Sequence, residues 1–102
     1  MNETSTFIYV LKLLRPRSMD NMSPEEEEII NEHFEHLKRK LNEGTLILAG
    51  PCLDGAFGIV IFRSLSQEEA ETFMNNDPAV IKGLMTAELH PFHISLIELL
   101  NE

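Results

Sequence analysis

The chain has 102 residues, 43% of them apolar and 25% charged, which is material for one domain around one core and not for two. Seventeen acidic residues stand against eight basic ones, a formal net charge of −9. Such a surface repels phosphate backbones and anionic lipid, so neither nucleic acid nor a membrane is expected as a partner.

The single cysteine, Cys52, cannot form an internal disulfide, and the start of the chain lacks a charged segment followed by a long apolar run. No stretch approaches the roughly 18 apolar residues of a membrane helix. A cytoplasmic protein is expected. The one basic run, Lys38-Arg39-Lys40, lies beside Glu32 and Glu35 and reads as a solvated helix face.

Residues 6–14 (TFIYVLKLL) are apolar at nearly every position and rich in β-branched and aromatic side chains, the pattern of a central strand buried on both faces. Arg15-Pro16-Arg17 ends it, and residues 15–22 read as a loop. Ser23-Pro24-Glu25-Glu26 then starts a helix: the serine caps, the proline suits the first turn, and Glu26 completes a capping box. Glu25 to Glu28 favour the positive end of the helix dipole. Ile30, Phe34, Leu37 and Leu41 recur at helical spacing, and Gly44 supplies the stop.

A second strand covers residues 45–50 (TLILAG), closed by Gly50-Pro51. Residues 52–57 form a loop with Asp54-Gly55 as its turn signal, and residues 58–64 (GIVIFRS) form a third strand. Ser66 with Glu69 repeats the capping pattern for a shorter helix carrying Ala70, Phe73 and Met74, which ends near Asn75-Asn76. A fourth strand spans about residues 85–90, Pro91 breaks it, and a C-terminal extension follows.

The order β-α-β-β-α-β predicts an α+β, ferredoxin-like domain: a four-stranded antiparallel sheet with both helices on one face. The first and third strands are apolar in both phases, so the uncovered face needs a partner, and a homodimer packing sheet against sheet is expected.

At about 100° per residue, Ile30, Phe34, Leu37 and Leu41 define one line along the first helix, with His33 about 60° to its side. His36 falls further round, among the lysines, and reads as solvated. A histidine at a buried margin is either a core residue satisfied by a backbone carbonyl or, if a carboxylate orients it, an acid–base group. Periodicity by itself favours the core role. Asp77, before Pro78, reads by itself as a turn residue bonding nearby amides.

Other signals are weaker. Nothing near Cys52 activates a thiol, and His90 and His93 have no carboxylate or cysteine cluster at ligand spacing. Gly50, Gly55 and Gly58 make no phosphate loop, and no serine elbow occurs. No metal or cofactor is expected.

Taken in order, residues 33–37 (HFEHL), Leu41-Asn42-Glu43-Gly44, Leu46, Ala49-Gly50-Pro51, Ser66 to Ala70, Asp77-Pro78, Gly83-Leu84 and Pro91-Phe92 resemble the YCII-related (YciI-like) family. The resemblance covers residues 6–94, and its most specific feature is a histidine eleven positions before the glycine that ends the first helix. It implies the ferredoxin-like fold assembled as a dimeric α+β barrel, with a histidine–aspartate pair as the active site. By position these are His33, rather than His36, and Asp77. Relatives in the superfamily include lactone isomerases and a dehydrochlorinase, which implies acid–base chemistry on a small organic acid or lactone. Two features depart from the family pattern: Ala79 stands where an aromatic residue often follows Asp-Pro, and the loop over residues 52–57 is short.

The enzyme reading gives His33 the role of base or acid, with Asp77 fixing its tautomer. A pocket would lie between helices and sheet or at a dimer mouth, walled by Tyr9, Phe34, Gly50 and Pro51. The alternative is a small-molecule binding or regulatory dimer without turnover. A third possibility, an interaction subunit, requires apolar surface left over once the dimer has formed.

Overall fold

A computed structural model describes residues 3–14 and 21–98. Its elements follow local chemistry closely. The first strand, β1, runs Ser5–Leu13; Arg15-Pro16-Arg17 and most of the loop after it lie outside the described residues. Helix α1, Pro24–Glu43, begins on a complete capping box: the Glu26 amide donates to Ser23 Oγ at 3.2 Å and the Ser23 amide to Glu26 Oε1 at 2.9 Å. It ends at Gly44, whose φ of 88° is left-handed and lets the amides of Gly44 and Thr45 return to the carbonyls of Leu41 and Lys40.

Strands β2, Leu46–Pro51, and β3, Gly58–Ser64, form the hairpin. Its loop is closed by Cys52 N–H to the Phe57 carbonyl and by Asp54 Oδ1 accepting from the Ala56 amide. Pro51 sits within β2 because β2 is an edge strand, where a missing N–H costs no ladder bond. Helix α2, Gln67–Asn75, starts on Ser66 as expected. A third helix, α3, Pro78–Ile81, is capped by Asp77, where the sequence indicated only a turn. Strand β4, Met85–Pro91, extends to Pro91 rather than stopping before it, and the Phe92 amide still bonds to the Thr6 carbonyl. Residues 95–98 of the extension carry no regular structure, and the remainder lies outside the described residues.

The sheet has the order β2-β3-β1-β4, antiparallel throughout. Phe7, Tyr9 and Leu11 of β1 share a face with Val60 and Phe62 of β3, and the helices cover it. Leu37 of α1 and Ala70 of α2 complete the buried cluster, with Phe62 and Phe73 stacked at 4.3 Å between centroids. The opposite face carries Ile8, Val10, Leu48, Ile59 and Ile61, with a polar border of Thr86, Glu88 and His90 on β4. No helix covers it.

Helix α1 is rotated relative to the line its apolar residues define. Phe34 and Leu41 are 59% and 52% exposed, whereas His33, His36 and Leu37 face inward to varying degrees. The buried line therefore runs roughly 70° away from that of Ile30, Phe34 and Leu41, and His33 lies near its centre.

Candidate active site

The site grows from three elements that meet behind the sheet. Asp77 follows α2 and caps α3, so its carboxylate is already turned toward the first amides of that short helix: Oδ1 accepts from Ala79 N–H at 3.0 Å. From α1, His33 Nδ1 stands 2.6 Å from the same Oδ1. From β1, the Tyr9 hydroxyl donates to Oδ2 at 2.6 Å. Asp77 and Tyr9 are both wholly buried. On the rim, Lys82 Nζ pairs with Glu32 Oε1 at 2.8 Å and ties α1 to the end of α3.

The electrostatics follow from these contacts. Burial opposes the Asp77 charge most strongly, but the bonds from His33 and Tyr9, the charge of His33 and the Ala79 amide outweigh it. The carboxyl is held below its ordinary range. An ionised carboxylate only accepts, so the proton between the pair belongs to Nδ1. In the neutral ring His33 Nε2 is then the nitrogen with a lone pair, and no described residue bonds to it. Burial, then the Asp77 charge and hydrogen bond, push the Tyr9 hydroxyl far up, so it stays protonated.

His36 departs from expectation. It is half-buried rather than solvated; its ring lies 6.1 Å from that of Phe73, and its Nε2 is shut from solvent with no partner among the described residues. Burial chiefly, with Lys40, Arg39 and His33 adding to it against the Asp77 charge, lowers its pKa and keeps it neutral.

Of the six residues singled out in the sequence, the structure joins His33, Asp77 and Tyr9. Tyr9 has no exposed surface to offer a pocket. Phe34 faces outward beneath Lys38, whose Nζ is 5.6 Å from the ring centroid. Gly50 and Pro51 border a shallow concavity of about 260 Å³ on the hairpin, with Leu48, Cys52, Phe57 and Ile59. A second, about 470 Å³, lies where β1 starts and β4 ends and includes His93. Neither includes His33 or Asp77. Among the described residues no three His, Cys, Asp or Glu side chains come together as a metal site, and no helix is long and apolar enough to cross a membrane.

The hydroxyl of Tyr9 is the component missing from the sequence reading. The available signal was a lone tyrosine in an otherwise apolar strand, since a buried phenol requires an acceptor.

The model of the YCII-related domain matches residues 7–92. Among solved structures, the chain resembles 5-chloro-2-hydroxyhydroquinone dehydrochlorinase from Burkholderia phenoliruptrix AC1100, in complex with 2,5-dihydroxybenzoquinone. The TM-score is 0.57 at 18% identity, covering 85% of this chain and 93% of that one. That similarity is one of fold. No curated protein matches.

Proposed function

Because the chain belongs to the YCII-related domain family, we propose that it is a small-molecule enzyme in which His33 moves a proton and Asp77 fixes its ring. The observation that carries this reading is the 2.6 Å contact between His33 Nδ1 and the buried Asp77 carboxylate. It leaves Nε2 as a base with a defined direction, and Asp77 stabilises the imidazolium that forms when Nε2 takes a proton.

The chemistry suited to one such base is isomerisation or elimination on a small organic acid, lactone or hydroxylated ring. Nε2 removes a proton from O–H or C–H, and the electron pair left behind moves into the substrate. In an isomerisation a double bond shifts and the imidazolium returns the proton at a second position. In an elimination the pair expels a leaving group such as chloride, and the imidazolium loses its proton to water. The likeness to a dehydrochlorinase supports elimination as the first reaction to assay.

The functional unit we propose is a homodimer. A second copy of the chain would cover the apolar face to which Ile8, Val10, Leu48 and Ile59 contribute exposed surface.

The test is chloride release from 5-chloro-2-hydroxyhydroquinone, beside a panel of muconate-like acids and lactones. Turnover by the wild-type protein and a loss of at least about 100-fold in His33→Ala are expected. Turnover undiminished in His33→Ala excludes His33 as the base. Binding without turnover across the panel favours the non-catalytic binding dimer.

A further inference from the structure

We infer that Tyr9 is a positioning residue for His33, acting through Asp77: its hydroxyl fills the carboxylate oxygen that His33 leaves open. Asp77 thereby becomes a fixed acceptor closed to any ligand. This rests on the reading of His33 as the proton-handling group and adds to it that Nε2 is the single atom of the cluster able to exchange a proton with substrate.

The geometry carries the argument. A carboxylate offers about four lone-pair directions. Oδ1 uses two, on His33 and on the Ala79 amide, and Oδ2 takes the Tyr9 hydroxyl at 2.6 Å, with no surface of Asp77 exposed. Substrate therefore meets His33 and not the carboxylate.

Tyr9 is itself held on every side. Its backbone lies in the central strand, opposite Val60 of β3 and Leu89 of β4. Its ring meets Phe62 edge-on at 5.7 Å and Phe73 at 6.2 Å. A strand side chain and a helix amide thus grip opposite oxygens of one carboxylate, and rotating it would break both bonds.

The groups bonded to Asp77 are His33 from α1, Tyr9 from β1 and the Ala79 amide from its own helix, and His36, one turn along α1 from His33, feels its charge. Of these, Tyr9 is the one whose removal leaves Oδ2 without a donor.

The experiment reads the Asp77 side-chain carboxyl by carbon-13 NMR as pH is lowered, and it needs no substrate. Tyr9→Phe keeps the ring and removes the donor, so the protonation midpoint of Asp77 should move up. Tyr9 is the only tyrosine in the chain, so 3-fluorotyrosine replaces it alone. Its more acidic hydroxyl is the stronger donor, and the midpoint should move down.

Phe62→Leu loosens the same packing without touching the carboxylate and should leave the midpoint in place. Opposite shifts for phenylalanine and fluorotyrosine support the proposal. An unchanged midpoint in both, or an equal upward shift in Phe62→Leu and Tyr9→Phe, overturns it. If Tyr9→Phe does not fold, the fluorotyrosine protein decides alone: a downward shift supports the assignment and no shift overturns it. Chloride release that fails while the carboxyl responds as described rejects the proposed reaction and not the role of Tyr9.

Discussion

Asp77 has two kinds of partner at once. It caps α3 through the Ala79 amide, the ordinary role of an aspartate before proline, and it also receives His33 and Tyr9. The bond to a nearby amide was legible in Asp77-Pro78, though as a turn and not as a helix cap. The others were not, because Tyr9 and His33 lie 68 and 44 positions away and only the folded sheet and helices bring them together. Asp77→Ala removes a cap and leaves two buried or half-buried donors without an acceptor. Its expected cost is on the order of 3 kcal/mol, measured by urea unfolding. The depressed pKa of Asp77 also fixes a pH dependence. Its contribution to stability is present above the unfolded value, about 3.9, and is lost as pH falls through the lower folded value.

His36 gives a second and earlier acid dependence. Burial disfavours its charged form, so the folded chain binds that proton less readily than the unfolded chain does. Stability should decline as pH drops below about 6.5 and continue downward to the depressed folded value. His36→Phe, which keeps a ring against Phe73 and removes a nitrogen without a partner, should abolish this part of the decline and unfold at equal or higher urea concentration.

At the scale of elements, starts and stops were the most legible features, because they depend on residues near in sequence. The Ser23 box and the Gly44 stop sit where their residue types require. Ser23→Ala should cost about 1 kcal/mol through loss of the cap. Gly44→Ala should cost a similar amount, since nothing crowds a side chain there and the left-handed φ is the whole penalty. Thermal unfolding of the two variants checks both figures.

The orientation of α1 was less legible. Hydropathy weights Phe34 and Leu41 toward the core, yet the fold leaves both exposed and turns His33 and His36 inward. Two polar imidazoles outweigh nothing on an apolar scale. They go inside because an acceptor and an aromatic surface await them. Helix α3 is not visible in sequence for a simpler reason: four residues are too few to show a period.

Across the whole molecule, two faces of one sheet have different fates. The face under the helices holds the core and the His33–Asp77–Tyr9 cluster, and the other presents Ile8, Val10, Leu48 and Ile59 to its surroundings. The doubled apolar pattern of β1 and β3 made this visible in sequence, while the polar border on β4 depended on register. Sedimentation equilibrium at micromolar concentration should give twice the chain mass. Ile8→Asp, which places a charge at the centre of that face, should return the mass toward that of one chain.

Whether His33 can serve as a base depends on which of its nitrogens carries the proton when the ring is neutral. Nitrogen-15 NMR of the imidazole at alkaline pH measures this without a substrate. A protonated Nδ1 and a bare Nε2 are expected in the wild-type chain, with that preference lost in Asp77→Ala. A wild-type ring protonated at Nε2 would contradict it, because His33 would then have no base to offer.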